Sequence, residues 1–166
     1  MRRTSFVRTA LAGVGLAGLA AGLCAVDGHA NGRPPATTNI QFQPGEVEKF
    51  FLPVTFGLLR STDGGGSFRW VCETAIGYGG VFDPDYAVSP EGNLYANTFE
   101  GVRVSRNGGC VWEQVVGLDP ELFVSEVEVG PDGRVWVTSS NGGKPNDVYV
   151  SDDGTEFTSS NLPNPI

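Results

Sequence analysis

The feature that most constrains the fold is a short pattern that occurs three times at nearly equal spacing. Each copy begins with a serine, passes through a glycine-containing turn and ends on an aromatic residue: Ser61 to Phe68, Ser105 to Trp112, and Ser151 to Phe157. The serines are 44 and 46 residues apart. A fixed period of about 20 to 50 residues is typical of repeat architectures, in which each repeat is one supersecondary unit. The chain is therefore expected to contain three similar units.

A second landmark recurs in the same order. Turn signals rich in Pro and Gly occupy 43–45, 89–92 and 130–133, and each precedes a strand-like stretch, at 47–54, 93–98 and 134–139. A further apolar run precedes each serine, at 56–59, 102–104 and 148–150. Each unit is thus predicted to contain four short antiparallel strands within about 40 to 50 residues, which is the size of a propeller blade.

The predicted fold class is therefore all-β: about three four-stranded antiparallel blades that form an incomplete or open β-propeller. The repeat domain is expected over residues 39–166, with blades at approximately 39–76, 84–118 and 122–166. Outside the first thirty residues, where an N-terminal signal helix is expected, no window shows helical periodicity.

The repeated pattern, S-x-D-x-G-x-x-F/W, resembles the Asp-box, or BNR repeat, of sialidases and many other β-propellers. The resemblance covers about residues 40 to 157. The second copy has Asn in place of Asp, and the third lacks one residue between its glycine and its aromatic residue. A short Asp or Asn side chain can accept hydrogen bonds from the amides of its own turn, and the aromatic residue packs between sheets. The implied structural residues are Ser61, Asp63, Gly65, Phe68, Ser105, Asn107, Gly109, Trp112, Ser151, Asp153, Gly154 and Phe157.

The first thirty residues are expected to be a secretory signal peptide of a bacterial protein, followed by a linker at 31–38. The segment has an arginine-rich start, an apolar run over 10–26 and a small-x-small cleavage site that ends at Ala30. Export by the twin-arginine route is less favoured, because Phe6 lies one position later than the twin-arginine motif requires. Lipid attachment at Cys24 is also less favoured, because the bulky Leu23 precedes it where a small residue is expected. The protein is therefore expected to be secreted or periplasmic, with no stable membrane span once the leader is removed.

Charge and composition narrow the range of functions. The chain carries a net charge of −8, and the leader holds three of the 11 basic and one of the 19 acidic residues, so the remainder carries −10. An acidic surface repels phosphate backbones, so nucleic acid is not an expected partner. The single histidine is His29, in the leader, which excludes His-based catalysis and His metal sites in the mature part. No catalytic residue, metal or cofactor is expected.

Cys72 and Cys110 are the two cysteines after the leader. An even number of cysteines in an exported chain favours a disulfide, so a Cys72–Cys110 bond between neighbouring blades is predicted. It would close a 38-residue loop and stabilise the fold by about 3–4 kcal/mol in the chain-entropy model. Two buried free thiols are the alternative.

Several acidic residues are candidates for a functional site. Glu126 and Glu128 would share one face of a strand about 6–7 Å apart, between the carboxylate spacings of retaining and inverting glycosidases. A solvated strand face is the expected explanation, because no substrate-binding group accompanies them. Asp83 and Asp85, and likewise the pair at 152 and 153, are expected to be turn residues rather than calcium ligands.

The sialidase resemblance also implies three clustered arginines, a Tyr–Glu pair and a further acidic residue, and these cannot be mapped onto this chain because its arginines are scattered. Tyr78, in a Gly-rich connection, is a candidate for a binding face.

Three blades do not close a ring, since propellers usually have four to eight. Incompleteness, through truncation or because the chain starts a longer protein, is the favoured explanation, and assembly of several copies into one ring is the alternative. The expected function is an exported non-enzymatic propeller module that binds a protein or glycan partner or acts as a scaffold. A sialidase-like glycoside hydrolase fragment and a truncated gene product without independent function are the alternatives.

Overall fold

A computed structural model describes residues 34–119, 121–143 and 145–161, so the predicted leader and Cys24 lie outside the described residues. The chain forms three four-stranded antiparallel sheets, each with its strands side by side in sequence order. The first sheet contains β1 (Gln41–Gln43), β2 (Glu46–Val54), β3 (Gly57–Ser61) and β4 (Arg69–Cys72). The second contains β5 (Tyr86–Val88), β6 (Leu94–Thr98), β7 (Gly101–Ser105) and β8 (Glu113–Gln114). The third contains β9 (Val124–Val129), β10 (Val135–Ser139), β11 (Val148–Ser151) and β12 (Thr158–Ser159).

The all-β prediction of three four-stranded antiparallel sheets is thereby confirmed. The sheets stack face to face, so the middle sheet is buried on both sides. Because successive side chains of a strand point to opposite faces, Leu94 and Ala96 of β6 pack toward the first sheet, whereas Tyr95 packs toward the third. Every residue of β6 is consequently buried.

Two apolar layers hold the sheets together. The layer between the first and second sheets contains Phe51, Leu58, Val71, Ile76, Tyr78, Tyr86, Val88, Leu94, Ala96 and Trp112. The layer between the second and third contains Ala87, Tyr95, Val102, Val104, Val115, Leu122, Val124, Val127, Val135, Val137 and Phe157.

One short helix, α1 (Glu73–Ile76), follows the first sheet and was not predicted. Four residues are too few to show a 3.6-residue period, which explains the miss. The helix ends at Gly77, whose amide donates to the carbonyl of Glu73 at 2.9 Å from a left-handed conformation with φ of 105°. Ile76 is fully buried in the layer between the first two sheets.

The first strands of the three sheets lie next to one another, since β5 contacts both β1 and β9. Gln43 Nε2 donates to the carbonyl of Pro90 at 2.9 Å, and Gln41 Nε2 donates to the carbonyl of Tyr86. At the outer side, the amide of Val116 donates to Thr155 O at 2.9 Å. These bonds connect each sheet to the next. Within the described ranges, no helix has the length and apolar character needed to cross a bilayer.

Candidate functional site

The first of the three repeated turns is closed by its own side chains. Asp63 Oδ1 accepts the amide of Ser67 at 2.8 Å and the hydroxyl of Ser61 at 2.9 Å, and Ser61 Oγ accepts the amide of Gly65 at 2.9 Å. The hydroxyl and amide of Ser67 hold the pKa of Asp63 below its ordinary value. The side chains of this turn are therefore engaged with its own backbone.

The second and third turns use the same residue types. Asn107 Oδ1 accepts the amide of Val111 at 2.9 Å, and Ser105 Oγ accepts the amide of Gly109 at 2.9 Å. In the third turn, which is one residue shorter, Asp153 Oδ1 accepts the amides of Thr155 and Glu156 at 2.7 and 3.1 Å. Because this turn lacks one residue, the Asp153 side chain accepts amides that lie two and three positions after it, whereas Asp63 and Asn107 accept an amide four positions after them.

The aromatic residues that end the turns have different surroundings. Trp112 is buried against the first sheet, and Phe157 is buried against the second. Phe68 belongs to the first turn and is partly exposed, and its ring lies 5.8 Å from that of Phe50 of its own sheet, measured between centroids.

The predicted Cys72–Cys110 disulfide is not formed, and both residues are free thiols. Val71 faces the second turn, because a methyl of its side chain lies 2.8 Å from where a Cβ on Gly109 would stand. Cys72 follows it in β4 and points to the opposite face, where its Sγ lies 3.3 Å from Thr74 Oγ1. That contact lowers the pKa of the Cys72 thiol. Cys110 is exposed in its turn.

Glu126 and Glu128 lie on β9, and both are exposed, as expected of a solvated strand face. The structure adds Asp85, which precedes β5 and contacts Glu126. Asp85 Oδ2 accepts the amide of Val127 at 3.4 Å, so this carboxylate bridges the second and third sheets. Burial raises the pKa of Asp85 to about 6, and the charge of Glu126 contributes further. Burial likewise raises the pKa of Glu128.

The other candidates remain apart. Asp152 is an exposed residue of the third turn, and Asp83 lies in the loop before β5. Across the part of the chain that the structure describes, no three His, Cys, Asp or Glu side chains are grouped so that they could hold a metal ion.

Three of the described arginines pair with three different acidic residues. Arg103 pairs with Glu100 at 2.8 Å, Arg106 with Glu113 at 3.4 Å, and Arg134 with an aspartate of its own turn at 2.7 Å.

A row of aromatic rings crosses the end of the molecule at which β5 and β9 begin. We call Phe82, Phe99 and Phe123 the aromatic row. The ring centroids of Phe82 and Phe99 are 4.3 Å apart, and those of Phe99 and Phe123 are 6.2 Å apart. Phe99 is 61% exposed and Phe123 37%. Tyr78, predicted as a binding-face candidate, is buried behind the row, 6.4 Å from Phe82, and accepts the hydroxyl of Tyr86.

The row is built on well-anchored backbone. The hairpin that carries Phe99 is closed by Thr98 Oγ1, which donates to Gly101 O at 3.0 Å. Phe123 is held by the loop between β10 and β11, because its amide donates to Asn141 Oδ1 at 2.8 Å and its carbonyl accepts the amide of Ser140 at 2.9 Å. Exposed rings on fixed backbone are pre-organised for contact with a partner.

A cavity of about 230 Å³ begins at Glu100, the residue after Phe99. We call it the acidic pocket. Its walls include the carboxylates of Glu100 and Asp119 and the apolar side chains of Val115 and Leu118. Asp119 Oδ1 accepts the amide of Glu121 at 2.9 Å, which orients that carboxylate. The pocket combines an apolar wall with two acidic groups.

Sequence reasoning missed the aromatic row and the acidic pocket. One signal was available, since Phe99 occupies the tip of the two-residue Phe99-Glu100 connection between two strands, where polar residues are usual. The proximity of Phe82 and Phe123 to Phe99 could not be predicted from the sequence, because these residues come from different inter-sheet loops.

No protein-family model matches the chain, and no curated protein matches it. Among solved structures, the chain is similar to an ancestral GH74 enzyme, with 16% identity and a TM-score of 0.55 over 75% of this chain and 20% of that one. It is also similar to a putative gluconolactonase, with 16% identity and a TM-score of 0.50 over 75% of this chain and 48% of that one. YCF48 bound to a D1 peptide has 18% identity and a TM-score of 0.48, over 75% and 38%.

The ancestral GH74 enzyme and the putative gluconolactonase are β-propeller proteins, so the chain has a propeller-like fold. It spans less than half of the length of each of these three proteins.

Proposed function

We propose that the protein is an exported, non-enzymatic binding module that recognises a polypeptide segment through the aromatic row and the acidic pocket. The observation that carries this proposal is the exposed row itself, whose rings come from three separate loops and are held on anchored backbone at one end of the sheets. The segment we expect presents an apolar side chain to the row and a basic side chain to the pocket.

The row supplies apolar contact area. Aromatic rings at an interface bury a large surface at a small cost in conformational entropy. Phe99 is the most exposed ring of the row, so covering it removes the most apolar surface from water. Anchors of this kind contribute on the order of 1–2 kcal/mol or more when buried by a partner.

The acidic pocket supplies charge selection. Glu100 and Asp119 line one cavity, and the whole chain carries a net charge of −8. A lysine or arginine side chain has an apolar stem that fits against Leu118 and Val115 and a cationic head that pairs with Asp119. Glu100 already pairs with Arg103 at 2.8 Å, so it adds negative charge beside that position rather than a free partner. The negative field would also accelerate the approach of a basic partner.

The proposal includes the repeat family and the compartment. Ser, Asp or Asn, Gly and aromatic residues recur at blade spacing, and this supports membership among Asp-box, or BNR, propellers in which these residues hold turns. The leader that ends at Ala30 supports export to the periplasm or the outside of the cell.

A non-enzymatic role is supported by the way the carboxylates are used. A glycoside hydrolase would depend on Glu126 and Glu128, yet Asp85 contacts Glu126 and accepts the amide of Val127, which makes the group a tie between sheets. Hydrolysis of a glycoside that disappears in Glu128→Gln would overturn this part of the proposal.

The binding proposal is tested by selecting peptides from a random displayed library with the exported protein as bait. We expect enrichment of sequences in which an apolar residue lies within a few positions of Lys or Arg. Phe99→Ser should lower the affinity for the selected peptides by about 10- to 100-fold. The double variant Glu100→Gln/Asp119→Asn should lower this affinity less and should reduce its dependence on salt concentration.

Val111→Ser is the matched control, because Val111 is an exposed apolar residue on a different part of the surface. It should bind the selected peptides as the wild type does. Enrichment of peptides that bind Phe99→Ser and wild type equally would contradict the proposal. A glycan array in which binding is lost in Phe99→Ser, together with no peptide enrichment, would replace the polypeptide partner with a sugar.

A further inference from the structure

Two arginines stand directly opposite each other where the first turn joins two strands. Arg60 is in β3 and Arg69 is in β4, and the antiparallel register pairs them with one another. Directly opposite residues share one face of a sheet, and like charges in that arrangement destabilise it. A negative group bound between the two side chains would relieve this repulsion.

Neither arginine has an acidic partner within the described ranges. Arg103, Arg106 and Arg134 each pair with a carboxylate, whereas no described carboxylate forms an ion pair with Arg60 or Arg69. The chain contains 19 acidic residues against 11 basic ones. Two unpaired arginines side by side are therefore a local feature and do not reflect a shortage of carboxylates.

Arg60 and Arg69 line one cavity of about 290 Å³. Thr62 and Ser67 of the first turn contribute hydroxyl groups to its wall, and no carboxylate is among the described residues that line it. The carboxylate of Asp63, in the same turn, is engaged by Ser67, whose amide and hydroxyl donate to it at 2.8 and 2.6 Å. The cavity is thus cationic in a chain whose net charge is −8.

The other two repeats show that the turn does not require arginines at these positions. Arg60 precedes the first serine of its turn, and Arg69 follows the aromatic residue that ends it. The corresponding register pairs carry no basic residue: Val104 with Glu113, and Val150 with Thr158. The third repeat has a similar cavity, of about 230 Å³, but three acidic residues of its turn line that one. The hollow belongs to the repeat, whereas its positive charge belongs to the first repeat.

The cavity lies on the face of the first sheet that the second sheet covers. Phe51 pairs with Arg60 and is buried against the second sheet, so Arg60 points the same way. Arg60 Nη1 donates to the carbonyl of Gly108 in the second turn at 3.5 Å, and a Cβ on Gly108 would collide with the guanidinium. Arg60 is therefore half-buried and held in place, while Arg69 is exposed to an arriving ligand. One cationic wall of the cavity is pre-organised.

We propose that this cavity binds a tetrahedral oxyanion, namely a phosphate or sulfate group, either free or carried as an ester on a sugar. Two guanidinium groups present forked N–H donors to several oxygens of one anion, and the hydroxyl of Thr62 can donate to another. A carboxylate has only two oxygens to offer, so it satisfies fewer of these donors.

This site is separate from the aromatic row. The first turn connects the third and fourth strands of its sheet, whereas Phe99 lies between the second and third strands of the next sheet. Successive connections of antiparallel strands lie at opposite ends of a sheet. Binding of an oxyanion therefore neither depends on the proposed recognition of a polypeptide nor fails with it.

The test is a titration of the full chain, produced with its own leader and purified after export, with inorganic phosphate and in parallel with inorganic sulfate. Chloride keeps the ionic strength constant, and the amide NMR signals of Thr62, Ser67 and Arg69 report binding. We expect saturable shifts with a Kd on the order of 1 mM. Acetate should bind at least about 10-fold more weakly, because it offers fewer acceptor oxygens.

Arg69→Gln should lower the affinity for phosphate by about 10-fold or more, because half of the cationic pair is lost. Arg69→Lys should retain part of the affinity, because it keeps the charge without the fork. Arg134→Gln is the matched control: it removes the same charge from an arginine that already pairs with Asp132, and it should bind phosphate as the wild type does. Equal phosphate affinity in Arg69→Gln and wild type would overturn the proposal, as would the lack of a saturable shift up to about 100 mM phosphate.

Urea unfolding gives a second readout. In chloride, Arg69→Gln should be at least as stable as the wild type, because the repulsion between the two strands is gone. Phosphate should stabilise the wild type and Arg134→Gln more than Arg69→Gln, since a ligand stabilises only a protein that binds it. Equal stabilisation of all three proteins would be a general effect of the salt and would contradict a site at Arg69.

Glucose 6-phosphate separates the two sources of the anion. Tighter binding than that of inorganic phosphate, lost in Arg69→Gln, would identify an ester as the ligand. Equal or weaker binding of the ester, with phosphate binding still dependent on Arg69, would identify the free ion.

Discussion

Replacing Asp85 with asparagine should stabilise the protein at neutral pH and remove much of the dependence of its stability on pH between about 4 and 6. Burial raises the pKa of Asp85 to about 6, from an ordinary value of 3.8, and the neighbouring charge of Glu126 adds to the effect. Between these two pH values the folded protein holds a proton that the unfolded chain has released. The free energy of unfolding therefore falls as the pH rises through this window.

The magnitude follows from the difference in pKa. A difference of about two pKa units corresponds to at most about 3 kcal/mol, and because Asp85 is only half-buried, screening by solvent reduces its contribution to about 1–2 kcal/mol, which is lost as the pH rises through about 6. Asparagine has the shape of the protonated acid and no charge to desolvate. Its amide can donate to Glu126, and its carbonyl can still accept the amide of Val127. We expect Asp85→Asn to be about 1–2 kcal/mol more stable than wild type at pH 7.5 and nearly equal to it at pH 4.

The assay is urea unfolding followed by tryptophan fluorescence at several pH values from 4 to 7.5, since the chain contains three tryptophans. Asp132→Asn is the matched control. Its hydrogen bond to Arg134 holds the pKa of Asp132 below the ordinary value, so the stability that it contributes is lost as the pH falls, the opposite sign. If the free energy of unfolding varies with pH in the same way for Asp85→Asn and wild type, the reasoning is refuted. Such a result would mean that Asp85 has the same pKa in the folded and the unfolded chain.

Further predictions concern the core, the turns and the thiols. Phe157→Ala should lower the free energy of unfolding by about 3–5 kcal/mol in the same urea assay, because the ring is fully enclosed between two sheets; a loss below about 1 kcal/mol would contradict that packing. Gly64→Ala and Gly154→Ala introduce a methyl at almost the same positive φ, of 64° and 66°, but open space surrounds only Gly64. Gly154→Ala should therefore lower the melting temperature clearly more, and equal shifts would argue against close contact between the second and third sheets. Alkylation of the folded protein without reductant should label both Cys72 and Cys110, as read by mass spectrometry, whereas no labelling until reductant is added would indicate a disulfide.

The predicted strands agree closely with the observed ones where the signal is local. The stretches predicted at 47–54, 93–98 and 134–139 correspond to β2, β6 and β10, each of which begins within one residue of the prediction. Turn residues and side-chain alternation act over a few positions, so they are visible in the sequence. The repeat then multiplied this evidence by three, which is why the number of sheets was correct. The helix α1 lacked any such signal.

The structure has Cys72 and Cys110 as free thiols rather than the predicted disulfide, and the reason lies in the direction of one side chain on β4. The repeat correctly puts Cys72 at the end of a strand and Cys110 in the next turn, but spacing does not say which face of β4 a side chain occupies. Val71 faces the second turn, and Cys72 therefore points away. A shift of one residue along the strand would reverse the two side chains.

The sequence by itself determined the all-β class, the three repeated units, the turns between strands and the acidic character of the surface, because each depends on neighbouring residues or on composition. Only the tertiary structure decided which distant residues meet. Phe82, Phe99 and Phe123 form one row, and Asp85 reaches Glu126, because the sheets stack in register with their first strands side by side. The relative position of stacked sheets depends on interdigitating side chains across the whole interface, and no local pattern in the sequence encodes it.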